Sequence, residues 1–96
     1  MIIVRPSKTH GLGLFAVKSI AHGEVIGTVE GEPTHEDGEH VLWLTPKSAI
    51  RVQNELKYIN HSHYPNVAYY DDLTVVALRD IAKDEELTHD YGEEWK

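Results

Sequence analysis

Short apolar runs, each closed off by Gly, Pro, Asn or Asp, recur along the whole chain. Residues 2–5, 14–18, 24–30, 41–44, 49–52, 66–70 and 73–78 are rich in Val, Ile and Tyr, and their length and boundaries predict β-strands. One stretch alone reads as helix. Asn54 stands as an N-cap before Glu55-Leu56-Lys57-Tyr58-Ile59, with Glu55 placed to meet the positive end of the helix dipole. Residues 31–40 are polar and turn-forming and predict an exposed loop. Asp71-Asp72, between Tyr70 and Leu73, predicts a two-residue hairpin turn that lacks the favoured glycine. The pattern is that of a mostly-β fold with one short helix. No linker or low-complexity tract interrupts it, so residues 1–96 are expected to form a single domain.

Residues 15–26 align without a gap on residues 76–87. Ala16, Ile20, Ala21 and Glu24 correspond to Ala77, Ile81, Ala82 and Glu85, and Lys18 matches Arg79 in charge. Each copy reads as a strand, a turn built on Ile-Ala-x-x-Glu, and a second strand. Two explanations serve. Both copies solve the same turn problem, or two similar β units pack around one core. Two copies are too few for a solenoid.

Composition narrows the partners. Nine Lys+Arg against sixteen Asp+Glu give a formal net charge of -7 over 96 residues. Such a surface repels phosphate, so no direct nucleic-acid partner is expected, whereas a basic peptide or protein is attracted. No apolar run approaches the roughly 20 residues needed to cross a bilayer. The N-terminus is too short for a signal h-region, so no membrane partner and a soluble, cytoplasmic setting are expected. The chain has no Cys. That excludes disulfides, thiolate metal sites and a cysteine nucleophile.

Three clusters concentrate polar or flexible groups. In His10-Gly11-Leu12-Gly13-Leu14-Phe15-Ala16, two glycines flank Leu12 and allow a ligand to approach the main chain. No helix follows, so dinucleotide and phosphate-loop readings fail on context, and a plain turn before a strand accounts for the run by itself. Tyr58-Ile59-Asn60-His61-Ser62-His63-Tyr64-Pro65-Asn66 packs amide, imidazole and hydroxyl groups directly after the short helix. His61 and His63 would share one face of a strand, but no nearby carboxylate completes a ligand set, and no metal is expected. In Glu85-Glu86-Leu87-Thr88-His89-Asp90-Tyr91-Gly92 the two glutamates read as a solvated turn, and a phenol precedes a flexible joint. Read alone, Tyr91 fills space and satisfies its hydroxyl.

Together and in this order, the clusters resemble the SET-domain family of S-adenosylmethionine-dependent protein-lysine methyltransferases. The Gly-Leu-Gly-Leu-Phe-Ala run is similar to its N-terminal motif. Asn60-His61-Ser62 with Pro65-Asn66 is similar to its Asn-His-Ser-x-x-Pro-Asn motif, and residues 86–92 to its Glu-Leu-Thr-x-Asp-Tyr-Gly motif. The likeness extends from about Val4 to Trp95. It implies a β-clip of small curved sheets whose C-terminal segment passes under a loop as a pseudoknot. Cofactor and target lysine would then meet in a narrow channel from opposite faces.

The same resemblance assigns roles. Tyr91 and Tyr69 become the catalytic positions. Gly11, Leu12 and Gly13, with Asn60 and His61, become cofactor contacts. Trp95 is either a lid over the adenine ring or a surface aromatic. His89 and Tyr58 fall in the substrate channel, Tyr58 more as packing than as chemistry. His89 stands where the family commonly has Phe or Tyr, which leaves the number of methyls added open. His63 stands where many eukaryotic members have Cys, and the Cys-rich zinc-binding post-SET module is impossible here; no pre-SET module is expected either. The segment between Glu30 and Ala49 is shorter than in the family, so one wall of the groove is expected from Trp95 or from a homodimer partner. The expected activity is methyl transfer to a lysine in a basic protein segment. The alternatives are a catalytically silent peptide-binding module on the same fold and a small His-rich metal-binding β protein.

Overall fold

The structure is a computed structural model, and it describes residues 1–8, 11–38, 40–70 and 72–90. Strands β1 (Ile2–Pro6) and β2 (Leu12–Ala16) form an antiparallel ribbon running from Ile2 opposite Ala16 to Pro6 opposite Leu12. β3 (Val25–Thr28), β8 (Val67–Tyr69) and β9 (Thr74–Ala77) form a second sheet in the order β3-β9-β8. β4 (Gly31–Thr34), β5 (Val41–Thr45) and β6 (Ser48–Val52) form a third in the order β4-β6-β5. The two remaining strands, β7 (Asn60–His61) and β10 (Thr88–His89), pair in parallel although far apart in the chain. That pairing brings the second and third sequence clusters into one place.

Period-2 burial drives these sheets together. Leu14 and Ala16 of β2, Val67 of β8, and Val75 and Ala77 of β9 are at most 1% exposed. They meet Ile20, Leu56, Ile81 and Leu87 in one core. Each large aliphatic side chain withdrawn from water stabilises the fold by roughly 1.5–3 kcal/mol. Leu56 joins this core from a single 3-10 turn, Glu55–Tyr58, packed beside β2.

The internal repeat is a structural pseudo-dyad. Ile20 and Ile81 face each other and exchange both backbone hydrogen bonds, at 2.8 Å each. Around that pair the backbone bonds recur in matched pairs. The Gly23 amide donates to Ala77 O and the Asp84 amide to Ala16 O; the Ala77 amide donates to Glu24 O and the Ala16 amide to Glu85 O. The Glu24 carboxylate accepts from the Ala21 amide, as the Glu85 carboxylate does from the Ala82 amide. Both earlier explanations hold at once: the same turn is built twice, and the two copies dock on each other. At the equivalent turn positions Gly23 has φ 85° and Asp84 φ 70°.

Several local expectations are corrected. Residues 31–34, expected in a loop, form edge strand β4, because pairing with β6 supplies hydrogen bonds that local composition does not encode. The helix is one 3-10 turn, and Asn54 makes no side-chain cap; its Nδ2 donates instead to Thr28 O at 2.9 Å, tying the turn to the end of β3. β2 starts at Leu12 rather than Leu14 and ends at Ala16. The β8–β9 turn is wider than two residues. Tyr70 N donates to Thr74 O, Leu73 N donates to Tyr70 O, and Leu73 takes the positive φ of 68° where a glycine would be favoured.

Candidate functional site

Asn60, His61, Tyr69 and His89 come from three separate strands and line one open cavity of about 1020 Å³. Strand β5 contributes Val41, Leu42, Trp43 and Leu44 to the same cavity. Parallel pairing sets Asn60 opposite Thr88 and His61 opposite His89, and the Ser62 amide extends it to His89 O at 3.1 Å. Tyr69 meets the His89 ring edge to face, with centroids 4.4 Å apart. Burial holds the His89 pKa below its usual value, against the opposing influence of a backbone contact with Val67 and the charge of Asp90. Burial therefore favours the uncharged ring.

Asn60 is fixed from behind. Its Nδ2 donates to Leu12 O at 3.1 Å and to Glu86 Oε2 at 2.8 Å. The Ser7 hydroxyl lies 2.9 and 3.0 Å from the two oxygens of the same carboxylate. A Cβ at Gly13 would collide with Glu86 Oε2. The glycine thus exists to admit a charged side chain, and that carboxylate joins all three sequence clusters. Sequence reading assigned Glu86 no role in the site. The available signals were its place in the third cluster and a glycine facing it.

Asn66 supplies the second lock. It is 1% exposed. Its Nδ2 donates to Glu86 O at 2.8 Å and Glu85 Oε2 at 3.1 Å, and its Oδ1 accepts from the Thr88 amide at 2.8 Å. A buried amide with its polar atoms paired in this way fixes the register of residues 85–88 against the 60–66 segment.

The remaining expected residues divide. Leu12 meets Asn60 through its carbonyl, and neither it nor Gly11, with φ 48°, lines this cavity. Tyr58 does not line this cavity. It packs its ring on His40, centroids 5.9 Å apart, with Lys57 Nζ over its face. Tyr91 and Trp95 lie outside the described residues. The carboxylate missing beside the histidine pair is Asp90: its Oδ1 is 4.0 Å from His61 Nδ1, and the His61 and His63 rings touch edge to face at 4.8 Å. Sequence distance hid it, since parallel pairing of β7 with β10 carries residue 90 to residue 61.

The SET-domain family profile matches residues 11–92. The chain belongs to the SET-domain family. A candidate histone methyltransferase of Plasmodium falciparum shares the fold at a TM-score of 0.75 and 22% identity, over 99% of this chain and 96% of that one. A chain of the ctPRC2 complex, solved with trimethylated histone H3 and a lysine-to-methionine H3, superposes at a TM-score of 0.83 and 21% identity. The alignment spans 97% of this chain and 14% of that longer one. No curated protein sequence matches.

Proposed function

We propose that this chain is an S-adenosylmethionine-dependent protein-lysine N-methyltransferase. One observation carries the reading: the two specific motif segments converge at the β7–β10 pair, which presents Asn60, His61 and His89 to a single cavity beside Tyr69. The donor set fits the cofactor. An amide anchored by Leu12 O and Glu86 meets the methionine end, and the Gly13 cradle keeps that anchor in place. When bound, S-adenosylmethionine supplies an already activated sulfonium methyl group, which leaves alignment and electrostatics to the protein.

The chain's residues meet those needs. Asn60 holds the amino-acid part of the cofactor, and the His61 backbone borders its adenine. The substrate amine must arrive neutral, and on the order of one lysine in two thousand is neutral at pH 7. Val41, Leu42, Ile59 and the uncharged His89 ring border a space that disfavours an ammonium. Tyr69 forms the wall that directs the amine. The Tyr91 hydroxyl, assigned by motif, orients the amine nitrogen, and the proton leaves to water. Held in line, the reacting atoms recover several kcal/mol of orientation entropy.

Exposed Trp43 and Leu44 form the outer side of the cavity on edge strand β5, and a second copy of the chain completes the groove there. Sedimentation at micromolar concentration tests this; a fully active monomer removes it. The enzyme itself is tested by incubating a host-protein extract with labelled cofactor and locating the label by mass spectrometry. Label on lysines of a basic segment is expected, with the number of methyls read directly. Cofactor binding in calorimetry without any transfer would leave the silent binding module as the function.

A further inference from the structure

We propose that His61, His63 and Asp90 form a site for a zinc-class divalent ion that clips the 60–66 segment to the strand end before residue 91. One ligand atom from each lies within 4.8 Å of the other two, and among the described residues they are the group that gathers in this way. The set does not depend on methyl transfer.

The geometry is close to what such an ion requires. Bonds of about 2.0–2.2 Å to imidazole nitrogen and carboxylate oxygen put tetrahedral ligand atoms about 3.3 Å apart. His61 Nδ1 and Asp90 Oδ1 are at 4.0 Å, so the closure needed is under about 1 Å for that pair. His61 is the fixed member: its backbone sits in β7, paired with β10, and its side chain is 12% exposed. His63 and Asp90 are the exposed members of the group. His63 lies in the bend just after β7, and its ring meets the His61 ring edge to face with centroids 4.8 Å apart.

The chemistry selects the ion. Two imidazoles and one carboxylate suit Zn²⁺ and its neighbours Ni²⁺ and Cu²⁺, and a site with so much nitrogen is a poor one for Mg²⁺ or Ca²⁺. Three protein ligands leave a fourth position for water. An ion bound here ties together two segments far apart in sequence, so occupancy stabilises the native chain by linkage.

Titration of the full-length chain, free of any histidine tag, with ZnCl₂ tests the site by calorimetry and thermal melting. One ion per chain and a Tm raised by several degrees are expected, with MgCl₂ having neither effect. His63→Ala and Asp90→Asn should each weaken zinc binding by at least about tenfold, while His35→Ala, in a remote exposed turn, should not. Substituting Co²⁺ should give the intense visible absorption of a four-coordinate ion, lost in His63→Ala. Zinc affinity equal in wild type and His63→Ala, with both melting alike in its absence, would place the metal elsewhere and overturn the proposal. So would the absence of binding at micromolar zinc. Neither outcome bears on the methyltransferase reading.

Discussion

Glu86 receives a hydroxyl from Ser7 and an amide from Asn60, and it fits only because position 13 carries no side chain. Gly13→Ala is therefore expected to force the carboxylate out and release Asn60. The cost is about 1–3 kcal/mol of stability, as for other overpacked sites, read as a lower Tm. Asn60→Ala removes the amide itself and should weaken cofactor binding in calorimetry more than it lowers stability. Tyr91→Phe makes the contrasting case. Cofactor affinity should stay within a few-fold while turnover falls by about two orders of magnitude, the scale of one lost transition-state contact. Unchanged turnover would show that the phenol is structural. Asn60 was legible in the sequence because it sits in a specific motif. Glu86 was not, because a glutamate beside a second glutamate reads as a solvated turn until the fold sets a glycine against it.

At the scale of elements, one buried amide holds the motif segments together. Asn66→Ala leaves the Thr88 amide and the Glu86 carbonyl without their partner, and each orphaned group costs about 1–3 kcal/mol. The expected result is a large loss of denaturant midpoint with little change in m-value. The pseudo-dyad gives a second test. Gly23 and Asp84 occupy equivalent left-handed positions, and a branched side chain tolerates that conformation poorly. Gly23→Val should destabilise by about 1–2 kcal/mol, whereas Asp84→Gly should be nearly neutral, its exposed contact with Arg5 being weak. The strand pattern was readable because period-2 burial dictates it. Strand β4 was missed for the converse reason: Gly31-Glu32-Pro33-Thr34 has no apolar alternation and is a strand only because β6 lies beside it.

For the molecule as a whole, the two resolved titrations near the site act in the same direction. Burial raises the Glu85 pKa, but bonds from the Ala82 amide, Asn66 and Arg79 outweigh it and hold the group below its usual value of 4.5. Its contribution to stability is present above that value and lost as pH falls through the folded pKa. His89, depressed by burial, must take up a proton to unfold below about its ordinary value of 6.5, so it too favours unfolding in acid. Tm should accordingly decline in two stages, the first below about pH 6.5 and the second below about pH 4.5. His89→Phe should remove the first stage and Glu85→Gln should diminish the second.

Sequence alone determined the strand-rich class, the internal repeat and, through two specific motifs, the family. These rest on short-range facts: which residues alternate, which turns need a glycine, which side chains stand a fixed number of positions apart. Tertiary structure alone decided that Glu86 braces Asn60, that Asn66 fixes a register, and that Asp90 reaches the histidine pair. Each of those follows from the parallel contact of β7 with β10 or from the docking of β2 on the segment before β10. A contact between residues so distant along the chain is set by the burial of a shared core, and no local pattern encodes it.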